Sequence, residues 1–192
     1  MGIVEALYFA ACLSHYGRNP SEVERLAWDL IELSTRHNFA AWLARGIILR
    51  GWARSVSGDT VQGISLIEDG LEVWRTTGAM LYIPFFLSLK AEAFYLVDRT
   101  SEALEAIKEA ERLAETNRER WWCAELHRLR GVFLTAIGAE EIQIEASFCE
   151  AIATARDQKS VSLEKRAEVT YVEYRRQKAS APGGRGFRLT LC

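Results

Sequence analysis

The sequence predicts an all-α fold, an α-solenoid of antiparallel helical hairpins. Three observations predict it. The 192 residues include only 3 Pro, and β-branched runs are scarce beside abundant Ala, Leu, Glu and Arg, the composition of a helical chain. A 40-residue period runs along the chain: Leu49-Arg50-Gly51, Leu89-Lys90-Ala91 and Leu129-Arg130-Gly131 repeat one tripeptide pattern. The breaks that follow, Gly58, Asp98 and Gly138, keep the same step. Self-similarity at 20–50 residues marks stacked supersecondary units, each unable to bury its apolar face alone.

Nine helices follow in order. The first spans 2–16 around Tyr8-Phe9-Ala10-Ala11-Cys12-Leu13, with Ala11 forty residues before Gly51 and Gly17 as its break. The second spans 20–37; Asn19 is its N-cap, Pro20 fits the first turn, and Glu22 stands at the capping-box position. The third covers 39–57, and the fourth 60–77, where Asp59 and Gln62 repeat the capping logic. The fifth covers 79–97. The sixth, 100–117, aligns Ala103, Leu104, Ile107, Ala110, Leu113 and Ala114 on one stripe. The seventh covers 119–137. The eighth, 140–158, opens on Glu140 and Glu141, whose charges suit a helix N-terminus. The ninth, 161–177, is an unpaired cap. Gly17, Gly58 and Gly138 occupy the left-handed position that ends a helix.

Helices alternate as A and B partners of hairpins. Gly51, Ala91 and Gly131 on A helices, with Gly63 and Ala103 twelve residues on, let axes approach closely. In the last repeat the phase slips by one, to Ile144, Phe148 and Ala151. One domain, 1–177, is expected, followed by a disordered, basic, Gly-rich tail, 178–192, with too little apolar surface to offset its ordering entropy.

Charge and motifs exclude several functions. The whole chain has net charge −2, but the part ending at Tyr174 has −7, the five cations beyond it making the difference. An acidic body is unsuited to nucleic acid, which needs clustered Lys and Arg. The longest apolar run, Ala79 to Leu89, is about half the ~20 residues of a membrane span and contains Pro84. The N-terminus has no basic region, Ala6 breaks the myristoylation pattern, and Cys12, Cys123, Cys149 and Cys192 lack CxxC spacing. A cytoplasmic chain with reduced thiols is the expectation. No phosphate-binding Gly-x4-Gly-Lys-Ser/Thr loop is present, and no cofactor is implied.

Candidate chemistry is weighed residue by residue. Cys123 and His127 are four apart, with Cys149 as a third zinc ligand across the hairpin, but Cys is commonly a small core residue. Cys12 and His15 suit a thiolate–imidazole pair that lacks an orienting group. Glu145 and Glu150 read as a solvated face. Arg50, Lys90 and Arg130 recur at one repeat position, where an alkyl stem covers a neighbouring helix and the head meets a carboxylate. Trp28, Trp42, Trp74, Trp121 and Trp122 read as inter-helix packing.

The small residue in helix A, a second small residue twelve on, and the aromatic and Ala that follow resemble the tetratricopeptide repeat. The match is loose: the usual period is 34, and the closing Pro is missing. The string Glu125-Leu126-His127-Arg128-Leu129-Arg130-Gly131, with Trp121-Trp122 before it and Ala151-Ile152-Ala153-Thr154-Ala155-Arg156-Asp157 after it, resembles the C-terminal repeats of bacterial regulators that join a class III adenylate/guanylate cyclase domain to a STAND ATPase domain. The resemblance covers about residues 5–175 and implies a sensory or regulatory arm without its catalytic domains. By analogy with tetratricopeptide arrays, the concave face is lined by Arg45, Ile48, Trp52 and Ser55, then Phe85, Ser88, Glu92 and Tyr95, then Glu125, Arg128, Val132 and Thr135.

The expected function is non-catalytic binding of a protein or peptide along that face, with Arg45, Ile48, Trp52, Phe85, Ser88, Glu92, Tyr95, Glu125 and Arg128 as contacts. The partner is another chain or a cyclase or ATPase domain of a parent polypeptide. Self-association by stacking of a terminal hairpin is a third reading.

Overall fold

The computed structural model describes residues 2–180 and 186–191. Among these the chain forms nine α-helices and no strand. They are α1 (Gly2–Tyr16), α2 (Pro20–Arg36), α3 (Ala40–Val56), α4 (Thr60–Thr76), α5 (Ile83–Leu96), α6 (Thr100–Thr116), α7 (Cys123–Ala136), α8 (Glu141–Asp157) and α9 (Val161–Ser180). Successive helices pack on each other from α1 to α4 and from α6 to α9, as in helical repeats.

The turns carry the repeat. Left-handed backbone occurs at Arg18, Asn38, Gly58, Gly78, Asp98, Arg118, Gly138 and Lys159, one every 20 residues until a one-residue slip at the last. Arg18, rather than the expected Gly17, is the left-handed residue after α1. Most of these turns are Schellman motifs. After α1, the Asn19 N–H donates to the Ser14 carbonyl at 2.9 Å and the Arg18 N–H to that of His15 at 3.0 Å. The same pair of bonds closes α2, α3, α6, α7 and α8. Left-handed backbone costs an L-residue about 1–2 kcal/mol, which glycine avoids while losing part of that gain to unfolded-state entropy. Lys159→Gly, at an exposed site, is therefore expected to stabilise the chain by about 0.5–1 kcal/mol; a lower urea midpoint than wild type would contradict this.

Caps follow the sequence in part. The Asn19 carboxamide accepts the Glu22 N–H at 3.2 Å. Asp59 instead takes the Arg54 guanidinium at 3.2 Å. α5 and α7 begin about four residues later than expected. Tyr82 precedes α5 in left-handed backbone, and Pro84 fills its first turn, where no N–H is required. Before α7, Trp122 is buried, its indole N–H donating to Ser88 Oγ at 2.9 Å and its ring edge-on to Phe85 at 5.2 Å. That anchoring draws the segment out of helical register.

Where the repeats predict one domain, the chain divides into two compact units, one of residues 1–82 with 92–98, the other of 83–91 with 99–192. α5 contributes to both. In the first unit α1 packs on α2 and α3, α2 on α3, and α3 on α4. The α3–α4 crossing closes at Gly51 and Gly63: a Cβ on Gly51 would lie 2.6 Å from the Gly63 carbonyl oxygen. In the second unit α6 packs on α7, α7 on α8, and α9 on both α7 and α8. Gly131 there faces the Phe148 ring, which bears out the slipped phase.

The tail differs from expectation over its described part. α9 continues through Ser180, and residues 186–191 lie against the second unit, with Leu189 buried and Phe187 stacked on Tyr174 at 5.9 Å. Phe187 and Leu189 are its apolar contacts with α9, and Gly186 lies against the end of α7. Residues 181–185 and 192 of the expected tail lie outside the described residues.

Candidate functional site

The nine expected contact residues do not line an open face. Ile48, Trp52, Phe85, Ser88, Glu92, Tyr95, Glu125 and Arg128 are all buried, and Arg45 is half-buried. The physical reason is that A helices touch one another directly, α1 on α3 and α7 on α9. Positions that line a groove in shorter repeats are here the joints between A helices.

In the first unit Glu92 is the centre of one joint. Its Oε2 accepts from the Trp52 indole N–H at 3.1 Å and from Arg18 at 2.5 Å. His15 packs edge-on to Trp52 at 4.4 Å. Trp52 is fully buried and cannot serve as an exposed anchor. Trp52→Ala is expected to cost about 3–5 kcal/mol through the cavity it leaves. An unchanged urea midpoint would contradict that burial.

Arg45 holds a second joint of the first unit. Its guanidinium lies 4.3 Å from the Trp42 ring, 4.9 Å from Tyr8, 5.0 Å from Trp74 and 4.9 Å from Tyr82. Cation–π attraction in this box ties α1, α3 and α4 to the residue preceding α5. Sequence reasoning placed Arg45 in a groove and missed the box. The signal was present: Trp42, Tyr82 and Trp122 recur at the 40-residue step.

In the second unit Arg128 and Glu125 form a bidentate pair, at 3.0 and 2.7 Å, with side chains 0% and 1% exposed. Arg128 also donates to Thr170 Oγ1 at 3.2 Å, and Arg166 reaches Glu125 at 3.2 Å, so α9 is fastened to α7.

Two of the recurring cations, Arg50 and Arg130, bind carboxylates of B helices. Arg50 donates to Glu24 at 3.0 Å and lies over Trp28, while Arg130 meets Glu111 at 2.8 Å, Ser147 at 3.0 Å, and Glu150. Arg130 and His127 belong to a polar cleft of about 660 Å³ lined also by Glu111, Cys123, Glu150 and Gln158. The His127 Nδ1 is 2.9 Å from Glu111 Oε1. Cys149 is exposed and does not line the cleft, and burial raises the Cys123 thiol pKa. No cluster of three or more His, Cys, Asp or Glu able to hold a metal occurs among the described residues. Cys12 is buried beside Tyr8, and burial pushes its thiol up to about 11, so it carries little thiolate near neutrality. No helix among the described residues is long and apolar enough to cross a membrane.

The chain is similar to an uncharacterized protein of Rhizobium meliloti (strain 1021), 25% identical over 138 residues. The match takes in 72% of this chain but 13% of that protein, so the chain spans a small part of its relative's length. No family model matches, and no solved structure matches significantly.

Proposed function

We propose that this chain is a non-catalytic helical-repeat arm that binds protein, either a separate chain or another domain of a larger regulatory polypeptide. The observation that carries the reading is the fate of its ionisable side chains. Glu92 meets Arg18 and Trp52, Glu125 and Arg128 pair within α7 and are tied to Arg166 and Thr170 of α9, and Arg130 meets Glu111 of α6. Their chemistry goes into fixing hairpins, and paired helices offer extended surface for recognition.

A second, narrower reading follows from the resemblance to cyclase–STAND regulators: the chain is their C-terminal sensory region. The small share of the Rhizobium meliloti protein that aligns favours it. An immunoblot of native extract against residues 100–160 tells a multidomain regulator from a free-standing chain. A band several-fold larger than 21.7 kDa is the result for a multidomain regulator. A band at that size is the result for a free-standing adaptor. Turnover of ATP by the purified chain would overturn both.

A further inference from the structure

The described end of the chain is seated as a peptide would be. Gly186 meets the end of α7 so closely that a Cβ would fall 2.6 Å from the Ala136 carbonyl oxygen and 2.7 Å from the Gly138 nitrogen. Phe187 then stacks on Tyr174 of α9, with ring planes inclined by 21°. Leu189, 2% exposed, and Thr190 line a cavity of about 640 Å³ together with residues of α9. The segment thus runs back along α9 toward its N-terminus.

An open groove remains between the segment and α9. Val169 and Val172 line the same cavity and remain 61% and 65% exposed. Lys165, Glu168, Glu173 and Arg176 edge it with both signs of charge. An apolar floor with a mixed charged rim suits a short extended segment held by two side-chain anchors.

We propose that the groove along α9 is a recognition site for an extended peptide of a partner protein bearing an aromatic residue and a leucine two positions on. Residues 186–191 occupy it in cis as an autoinhibitory contact. The proposal deepens the protein-binding reading and rests on it. Because the resident segment belongs to the same chain, it acts at an effective concentration on the order of millimolar, and a partner must compete with it.

The test uses the full chain and a fluorescein-labelled peptide of the sequence Gly186–Leu191, read by anisotropy. Leu189→Asp, which empties the groove, is expected to bind this probe at least tenfold more tightly than wild type. Phe187→Ala should act in the same direction. Adding Val169→Glu and Val172→Glu, both at exposed positions, should abolish the gain while helicity is kept. Equal binding to wild type and Leu189→Asp, or none to either tail variant, overturns the proposal. A concentration-dependent dimer of the wild type that Leu189→Asp abolishes also overturns it, by assigning the groove to the tail of a second copy. None of these results bears on the immunoblot or the ATP assay, so failure of the groove and failure of the protein-binding reading are distinguishable.

Discussion

Arg128→Ala is expected to lower the thermal midpoint of the chain by about 6–20 °C. The estimate follows from the cost of stripping one partner from a buried ion pair, about 3–5 kcal/mol, and from a shift of about 2–4 °C per kcal/mol for a chain of this size. The alanine strips the bidentate partner from the Glu125 carboxylate, which is 1% exposed and lies 3.2 Å from Arg166. It also removes the donor to Thr170 and with it a tie between α7 and α9. Arg128→Lys should recover little, since an ammonium cannot reproduce the two parallel bonds of the guanidinium. The double variant Glu125→Leu/Arg128→Met is expected to be far milder than Arg128→Ala, because removing both charges removes the desolvation cost of each. Differential scanning calorimetry of the three variants decides the matter. A loss under about 1 kcal/mol for Arg128→Ala would mean that the pair is not buried in solution.

This pair shows where legibility in the sequence ends. The i,i+3 spacing of Glu125 and Arg128 is plain, but spacing does not say whether a helix face meets water or another helix. That depends on how the A helices stack, and the analogy with a 34-residue repeat placed the face in solvent. Helices and turns were legible because each is set locally. A left-handed residue recurs every 20 residues, and apolar stripes such as Ala103, Ile107, Ala110 and Ala114 are buried as the 3.6-residue period requires. The late start of α5 was partly visible at Pro84. That of α7 was not, because it depends on Trp122 finding Ser88, 34 residues away. The seated tail was hidden by composition. Gly, Arg and small residues surround Phe187 and Leu189, the two apolar side chains that meet α9.

Gly51→Ala is expected to destabilise the chain by about 2–3 kcal/mol, against the usual rule that alanine improves a helix by about 1 kcal/mol over glycine. The opposing contribution comes from the α3–α4 crossing. A Cβ at residue 51 would stand 2.6 Å from the Gly63 carbonyl oxygen and 2.9 Å from the Ile67 nitrogen. Both are backbone atoms of α4, so no rotamer change relieves them and the helix axes must part. Parting them loosens Ile48, Ile67 and Trp74, all buried at 1% exposure or less. The crossing is reciprocal, since a Cβ at Gly63 would fall 2.5 Å from the Gly51 oxygen. Gly63→Ala should therefore cost a similar amount. Gly2→Ala, with no atom within 4 Å of its Cβ, should stay within about 0.5 kcal/mol of wild type. Urea unfolding with an unchanged slope measures all three. The next repeat carries Ala91 and Ala103 at the corresponding positions, both fully buried. The fold therefore accepts a methyl at this register when the hairpin is built around it. A crossing closed around no Cβ cannot admit one without moving, and a Gly51→Ala chain as stable as wild type would show that α3 and α4 do not meet there.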